Sequence, residues 1–117
     1  MKAETSTLSG IALDWVVSVY QGYTPFSDGI SLIVDVDGQY RQLPRYSTDW
    51  AQGGPILGAM MASGKVESFM YRGVCTVEYN NETGGCTANG PTPLVAGMRC
   101  YAISKMGEEV EIPDELL

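Results

Sequence analysis

Ten consecutive residues, Tyr46-Ser47-Thr48-Asp49-Trp50-Ala51-Gln52-Gly53-Gly54-Pro55, bring hydroxyls, a carboxylate, an indole, an amide and two glycines into one stretch. Ser47 or Thr48 can cap a single helical turn that holds Asp49 and Trp50. Gly53-Gly54 admits backbone angles that other residues resist, and Pro55 pushes the residue before it out of the helical region. The expected product is a rigid, irregular segment with one aromatic face and several open donors. A loop that holds a flat polar ligand is built this way. The same residues also fit a structural role, in which Trp50 anchors the loop in the core and Gly-Gly-Pro turns the chain.

A second stretch, Asn89-Gly90-Pro91-Thr92-Pro93, opens the last apolar run of the chain. Free N–H groups and the positive end of a helix dipole would point outward there, favouring a phosphate by about 0.3–1 kcal/mol. It reads equally as an ordinary capped helix start. Arg99 is the third feature. A buried arginine needs a partner, and Asp14, the only charge of the first helical run, is the natural one for a structural ion pair. Alternatively Arg99 faces a pocket and grips phosphate or carboxylate with its planar fork. The ligand-binding candidates are thus Tyr46, Ser47, Thr48, Asp49, Trp50, Gln52, Gly53 and Gly54 from the first stretch. Asn89, Gly90 and Thr92 come from the second, joined by Arg99.

Catalysis has little support. The chain has no histidine, so the commonest general base is missing. No Ser or Cys sits in a G-x-S-x-G elbow, and no carboxylate pair stands out. The expectation is a protein that is not an enzyme and needs no cofactor. Cys75, Cys86 and Cys100 are widely spaced, without a C-x-x-C pair, so no metal site is expected and the thiols read as small buried apolar groups. Asp35-Val36-Asp37-Gly38 begins like a calcium loop, but the twelfth position from Asp35 is Tyr46, where the loop needs glutamate. A turn is the better reading.

Bulk properties narrow the class. A length of 117 residues suits one domain, and 44 % hydrophobic residues supply one core. No apolar run approaches the ~20 residues of a membrane span. The N-terminus MKAETSTLSG lacks the apolar centre of a secretory signal. An odd cysteine count also fits a reducing compartment. A soluble, cytoplasmic protein is expected. The net charge of −7, from 14 acidic and 7 basic residues, argues against direct nucleic-acid binding, which relies on Lys and Arg. Glu108, Glu109, Glu111, Asp114 and Glu115 make residues 108–117 an acidic tail, expected to be solvated.

The elements that must position these features follow from pattern. Leu8, Ile11, Ala12, Trp15, Val16 and Val19 recur at helical spacing, with Ser9 or Thr7 as cap and Gly22 as stop. Ile30 to Val36 and Gln39 to Leu43 read as a hairpin around Asp37-Gly38. Ile56 to Lys65 is ambiguous between helix and strand. Val66 to Asn81 reads as two strands around Gly73, and Asn81 to Gly90 as a loop. The run from Pro93 to Gly107 is a largely buried helix, with proline at its start and glycine at its end. The chain is expected to be a single α+β domain over residues 1–117. Its N-terminal and C-terminal helices would cover one face of a small antiparallel sheet.

The stretches TSTLSGIALDWVVSVYQG, YSTDWAQGGPIL and NGPTPLVAGMRCYAISKMGEEVEIPDELL resemble the NinX-like family of phage-encoded proteins of unknown function. Members open with a Leu-Thr-Gly-x-x-Leu-Asp-Trp helix and carry a central Tyr-Ser-Pro/Thr-x-x-Trp-x-x-Gly-Gly-Pro segment. They close with a Gly-Pro-Thr-Pro-Leu helix that contains Met-Arg. The three blocks cover about half of the chain in family order. Residues 57–89 depart from the pattern, being longer and carrying Met60, Met61 and two cysteines. The resemblance implies a phage or prophage origin and an accessory role in the infected cell. With the residues above, it leads to a non-catalytic binder that sequesters a small nucleotide-derived ligand, such as a host immune signal. Trp50 or a tyrosine would stack on the base, and the two glycine-containing stretches would meet phosphate or ribose. A homo-oligomer is expected, with Met60, Met61, Phe69 and Met70 as contact surface. The other reading is an acidic protein that binds and inhibits a host protein through its tail.

Overall fold

The computed structural model describes residues 1–116. The first strand, β1 (Lys2–Glu4), leads through a short 3-10 turn into helix α1 (Gly10–Tyr20). Ala12, Leu13, Val16 and Val17 of α1 are buried, as their spacing requires. Strands β2 (Phe26–Ser27), β3 (Leu32–Val36) and β4 (Gln39–Gln42) form one antiparallel sheet. The β3–β4 turn places both Asp37 and Gly38 at positive φ, 53° and 84°, as a two-residue hairpin demands. The Asp35 carboxylate accepts the Gly38 N–H at 2.9 Å, so this acid serves the turn.

Residues 50–55 of the segment expected to be irregular are instead the first half of a helix, α2 (Trp50–Ser63), and only 46–49 remain as a turn before it. Asp49, rather than Ser47 or Thr48, is its cap, accepting the Ala51 N–H at 2.9 Å. Helix α2 runs straight through Gly53, Gly54 and Pro55. Two local facts permit this. Gly54 has no Cβ to clash with the proline ring, which is what normally excludes the residue before proline from helical angles. The hydrogen bond that Pro55 cannot donate would reach the carbonyl of Ala51, an exposed residue that water can serve.

Strands β5 (Lys65–Tyr71), β6 (Val74–Asn81) and β7 (Gly84–Gly90) follow as an antiparallel meander. Residues 84–90, expected to be loop, pair along their length with β6, from Asn81↔Gly84 to Cys75↔Gly90. Glycines and small polar residues hid this strand, because its stability comes from the neighbour and from the helix above it. Cys75, Val77 and Tyr79 alternate inward on β6. Helix α3 (Pro93–Met106) lies over β6 and β7 and also packs on α1 and α2. Leu94, Ala96, Met98, Cys100 and Ala102 of α3 are almost wholly buried. The last strand, β8 (Glu109–Glu111), pairs antiparallel with β1.

The fold is α+β, but the described residues form three α-helices and three small antiparallel sheets where one sheet and two helices were expected. The extra helix is the ambiguous apolar run, resolved as helix by the packing of α2 on α3. A Cβ on Gly53 would overlap the Tyr46 carbonyl and approach Leu94, and a Cβ on Gly97 would press on Leu57. Each helix thus offers a glycine where the other inserts a leucine, which lets the two axes come close. The acidic segment is also better anchored than expected. Val110 and Ile112 are buried, and Met1 donates from its amino group to the Ile112 carbonyl at 2.9 Å. Met60, expected at a contact surface, is buried in the core.

Candidate functional site

The packing of α2, α3 and the β6–β7 ladder leaves a cleft of ≈ 470 Å³. Its walls are Gln52, Pro55, Ile56, Ala59, Met60 and Ser63 from α2, Tyr79, Asn81 and Thr83 from the β6 end, and Tyr101, Ser104 and Lys105 from α3. Gln21, just after α1, closes one side. A second cleft of ≈ 420 Å³ adjoins it, sharing Gln21 and Gln52 and adding Tyr23, Tyr46, Arg41 and Gln42.

Two tyrosine hydroxyls organise the larger cleft. The Tyr79 ring is buried, only 7 % of the residue being exposed. Its hydroxyl is 2.8 Å from Ser63 Oγ and accepts from Asn81 Nδ2 at 3.1 Å. The Ser63 and Asn81 hydrogen bonds favour the phenolate and hold the Tyr79 pKa below its ordinary value, with Lys105 adding a favourable charge. Tyr101 OH accepts from Gln21 Nε2 at 2.9 Å and donates to the Tyr20 carbonyl at 3.4 Å. Burial pushes the Tyr101 phenol up, and the Gln21 bond only partly opposes this. Lys105 follows Tyr101 by one helical turn and sits over its ring, 5.8 Å from the centroid. Among the described residues Lys105 makes no ion pair, unlike Lys65, which meets Glu67 at 2.8 Å.

Among the described residues the two clefts carry Lys105 and Arg41 and no carboxylate, in a chain of net charge −7. Their lining combines two positive groups, several amides and several hydroxyls with an apolar floor from Ile56, Met60, Val34 and Val36.

Of the residues singled out in the sequence, Tyr46 and Gln52 line these clefts. Burial raises the Tyr46 pKa. Thr48 lines a separate groove of ≈ 400 Å³ at the start of α1, with Asp14 and Arg45. The others sit elsewhere. Trp50 is 56 % exposed at the first position of α2, so it neither anchors a core nor reaches either cleft. Ser47 is buried and gives its N–H to Asp14 Oδ1 at 2.8 Å. Gly53 is consumed by the helix crossing, and Asp49 by the cap.

The Asn89–Thr92 stretch is equally occupied. Asn89 Oδ1 accepts from Thr76 at 2.8 Å, and Gly90 lies so close to Val95 and Ala96 that a Cβ would collide. Thr92 Oγ1 caps α3 by accepting the Val95 N–H at 3.1 Å. Arg99 does not meet Asp14. Its guanidinium donates from Nε to the Leu8 carbonyl at 2.7 Å and from Nη1 to the Asn89 carbonyl at 2.8 Å. Arg99 therefore ties the entry of α1 and the end of β7 to α3. Tyr101 and Lys105 are about 200–240° around the helix from it, on the opposite face. Asp14, 5 % exposed, carries a raised pKa from burial, which the Ser47 N–H and the Arg45 charge offset only in part.

Sequence reasoning missed Tyr79, Tyr101, Lys105, Ser63 and Asn81. One signal was present: Tyr79 continues the inward alternation of Cys75 and Val77, which places a polar tip at the end of an apolar row. A second was the one-turn spacing of Tyr101 and Lys105.

Among the described residues no helix is long and apolar enough to cross a membrane. A comparison with curated proteins finds no match. A family model described as Bacteriophage P22, NinX matches residues 4–105, a span that includes α1, α2, all of α3 but its last residue, and the residues that line both clefts. The chain belongs to this phage NinX family.

Proposed function

We propose that this phage protein is a non-catalytic binder that sequesters a small nucleotide-derived ligand in the double cleft, within the cytoplasm of the infected cell. A host immune signal is the biological target of this reading. The observation that supports it is the charge pattern: an acidic chain with a cleft surface holding Lys105 and Arg41 and no acid. Phosphate oxygens would meet Lys105, donors of the ligand would meet the remaining lone pairs of the tyrosine hydroxyls, and the amides of Gln21 and Gln52 would take the edge of a base. The buried tyrosine rings offer their hydroxyls rather than their faces, so recognition is through hydrogen bonds, and Trp50 has no part in it.

The test is calorimetric titration and thermal shift with mononucleotides, cyclic nucleotides and dinucleotides. Wild type is expected to bind one class with micromolar or better affinity, and Lys105→Gln to weaken it at least tenfold. Absence of a thermal shift with every nucleotide would remove the proposal. A homo-oligomer built on the free edge of β5, where Phe69, Met70 and Tyr71 are exposed, is part of the same proposal. A monomer at all concentrations in gel filtration contradicts that part.

One observation favours the second reading, inhibition of a host protein. Glu4, Glu108 and Glu109 meet around a groove of ≈ 480 Å³, a compact acidic face for a basic partner. Deleting residues 108–117 would remove buried Val110 and Ile112. The informative variant is therefore Glu108→Gln with Glu109→Gln, expected to lose the host partner in a pull-down and to keep nucleotide binding.

A further inference from the structure

The chain has three free thiols, and two of them are neighbours. Cys86, on β7, and Cys100, on α3, place their sulfurs 2.8 Å apart. Each sulfur also lies near the other residue's carbonyl oxygen, at 3.2 Å and 3.6 Å. A disulfide bond is about 2.05 Å long, so closure needs a sulfur movement of about 0.8 Å. Cys100 is fully buried, but Cys86 is only half-buried and lines two surface grooves, one with Glu4 and Glu108 and one with Thr83 and Ser104. Cys75, by contrast, is buried on β6.

We propose that Cys86 and Cys100 are a redox-active pair that a small-molecule disulfide converts to an intramolecular disulfide, joining β7 to α3. The oxidant is of the glutathione-disulfide class. The Cys86 thiolate attacks one sulfur of the oxidant, a bond forms between them, and one glutathione thiolate leaves. Cys100 then loses its proton and attacks Cys86 Sγ, expelling the second glutathione. Two protein thiols are oxidised and one glutathione disulfide is reduced to two thiols. The order of attack follows access, and it agrees with a Cys86 thiol shifted down and a Cys100 thiol shifted up, both chiefly by their mutual hydrogen bond.

The pair is next to the proposed binding cleft without being part of it. Cys86 is the register partner of Tyr79, and Ser104, in the cleft wall, is one turn beyond Cys100. Oxidation would therefore fix the strand ladder to the helix that together frame the cleft. This inference stands on the thiol geometry alone and survives if the cleft binds nothing.

The experiment is incubation of the full reduced chain with oxidised glutathione, a thiol-alkylating quench under denaturing conditions, and intact mass spectrometry. The expected product has lost two hydrogens, carries no glutathione, takes up one alkyl group at Cys75, and melts at a higher temperature than the reduced form. Cys75→Ser is expected to close the same bond, and Cys100→Ser to stop at a glutathione adduct on Cys86. Wild-type protein that keeps three alkylatable thiols, or that stops at the glutathione adduct, overturns the proposal.

Discussion

Gly53 and Gly58 lie in the same helix and differ in what surrounds them. A Cβ on Gly53 would overlap the Tyr46 carbonyl oxygen and stand 2.8 Å from Leu94 Cδ1. The carbonyl belongs to the backbone and cannot rotate away, so Gly53→Ala must push the start of α2 off the preceding Tyr46 turn as well as against Leu94 of α3. Overpacking of this kind costs about 1–3 kcal/mol, and the upper end applies where the obstacle is backbone. Alanine returns about 1 kcal/mol of helix propensity, leaving a net loss of about 2 kcal/mol. For a chain of this size that lowers Tm by about 8 °C. A Cβ on Gly58 meets nothing within 4 Å, so Gly58→Ala keeps the propensity gain and raises Tm by about 4 °C. Urea and thermal denaturation of both variants, followed by circular dichroism, read the difference. Equal effects of one sign, or a neutral Gly53→Ala, would refute the helix-crossing role of Gly53.

Further outcomes follow from the buried polar groups. Asp14→Ala strands the buried Ser47 N–H and is expected to cost about 1–3 kcal/mol. Its double mutant with Arg99→Ala should be additive within about 0.5 kcal/mol, because the two side chains share no partner; a larger coupling would restore the ion pair. The Asp14 pKa is raised in the folded state above 3.8. Its stabilising contribution is therefore full below that value and is lost as pH rises through the folded pKa. Asp14→Asn keeps the acceptor for Ser47, so it is expected to match or exceed wild-type stability at neutral pH and to lose that advantage in acid. Tyr79 has the opposite sign, with a folded pKa below 10.0. Ultraviolet titration should find one phenol ionising early, absent in Tyr79→Phe, and affinity for an anionic ligand should fall as it ionises.

The helices α1 and α3 and the β3–β4 hairpin were legible because their signals are local: an apolar stripe, a proline start, an Asp-Gly turn. Helix α2 and strand β7 were not, for a shared reason. Both are rich in glycine, which reads as irregular structure by propensity, and both owe their form to α3 lying close above them. The candidate site suffered from the same source. Gly53, Gly90 and Thr92 look like groups held open for a ligand, but their close approach is to other parts of the chain. Tyr79, Tyr101 and Lys105 lie in ordinary strand and helix patterns, and only the packing of α2 beside α3 turns them toward one cleft.

The most direct measurement of the binding proposal is native mass spectrometry of the protein purified from phage-infected, defence-carrying cells beside protein from uninfected cells. A stoichiometric added mass of a nucleotide-derived compound, present after infection and lost in Lys105→Gln with Tyr79→Phe, is the expected result. An unliganded mass in both samples, or an adduct that persists in that variant, would contradict the cleft as the site of capture.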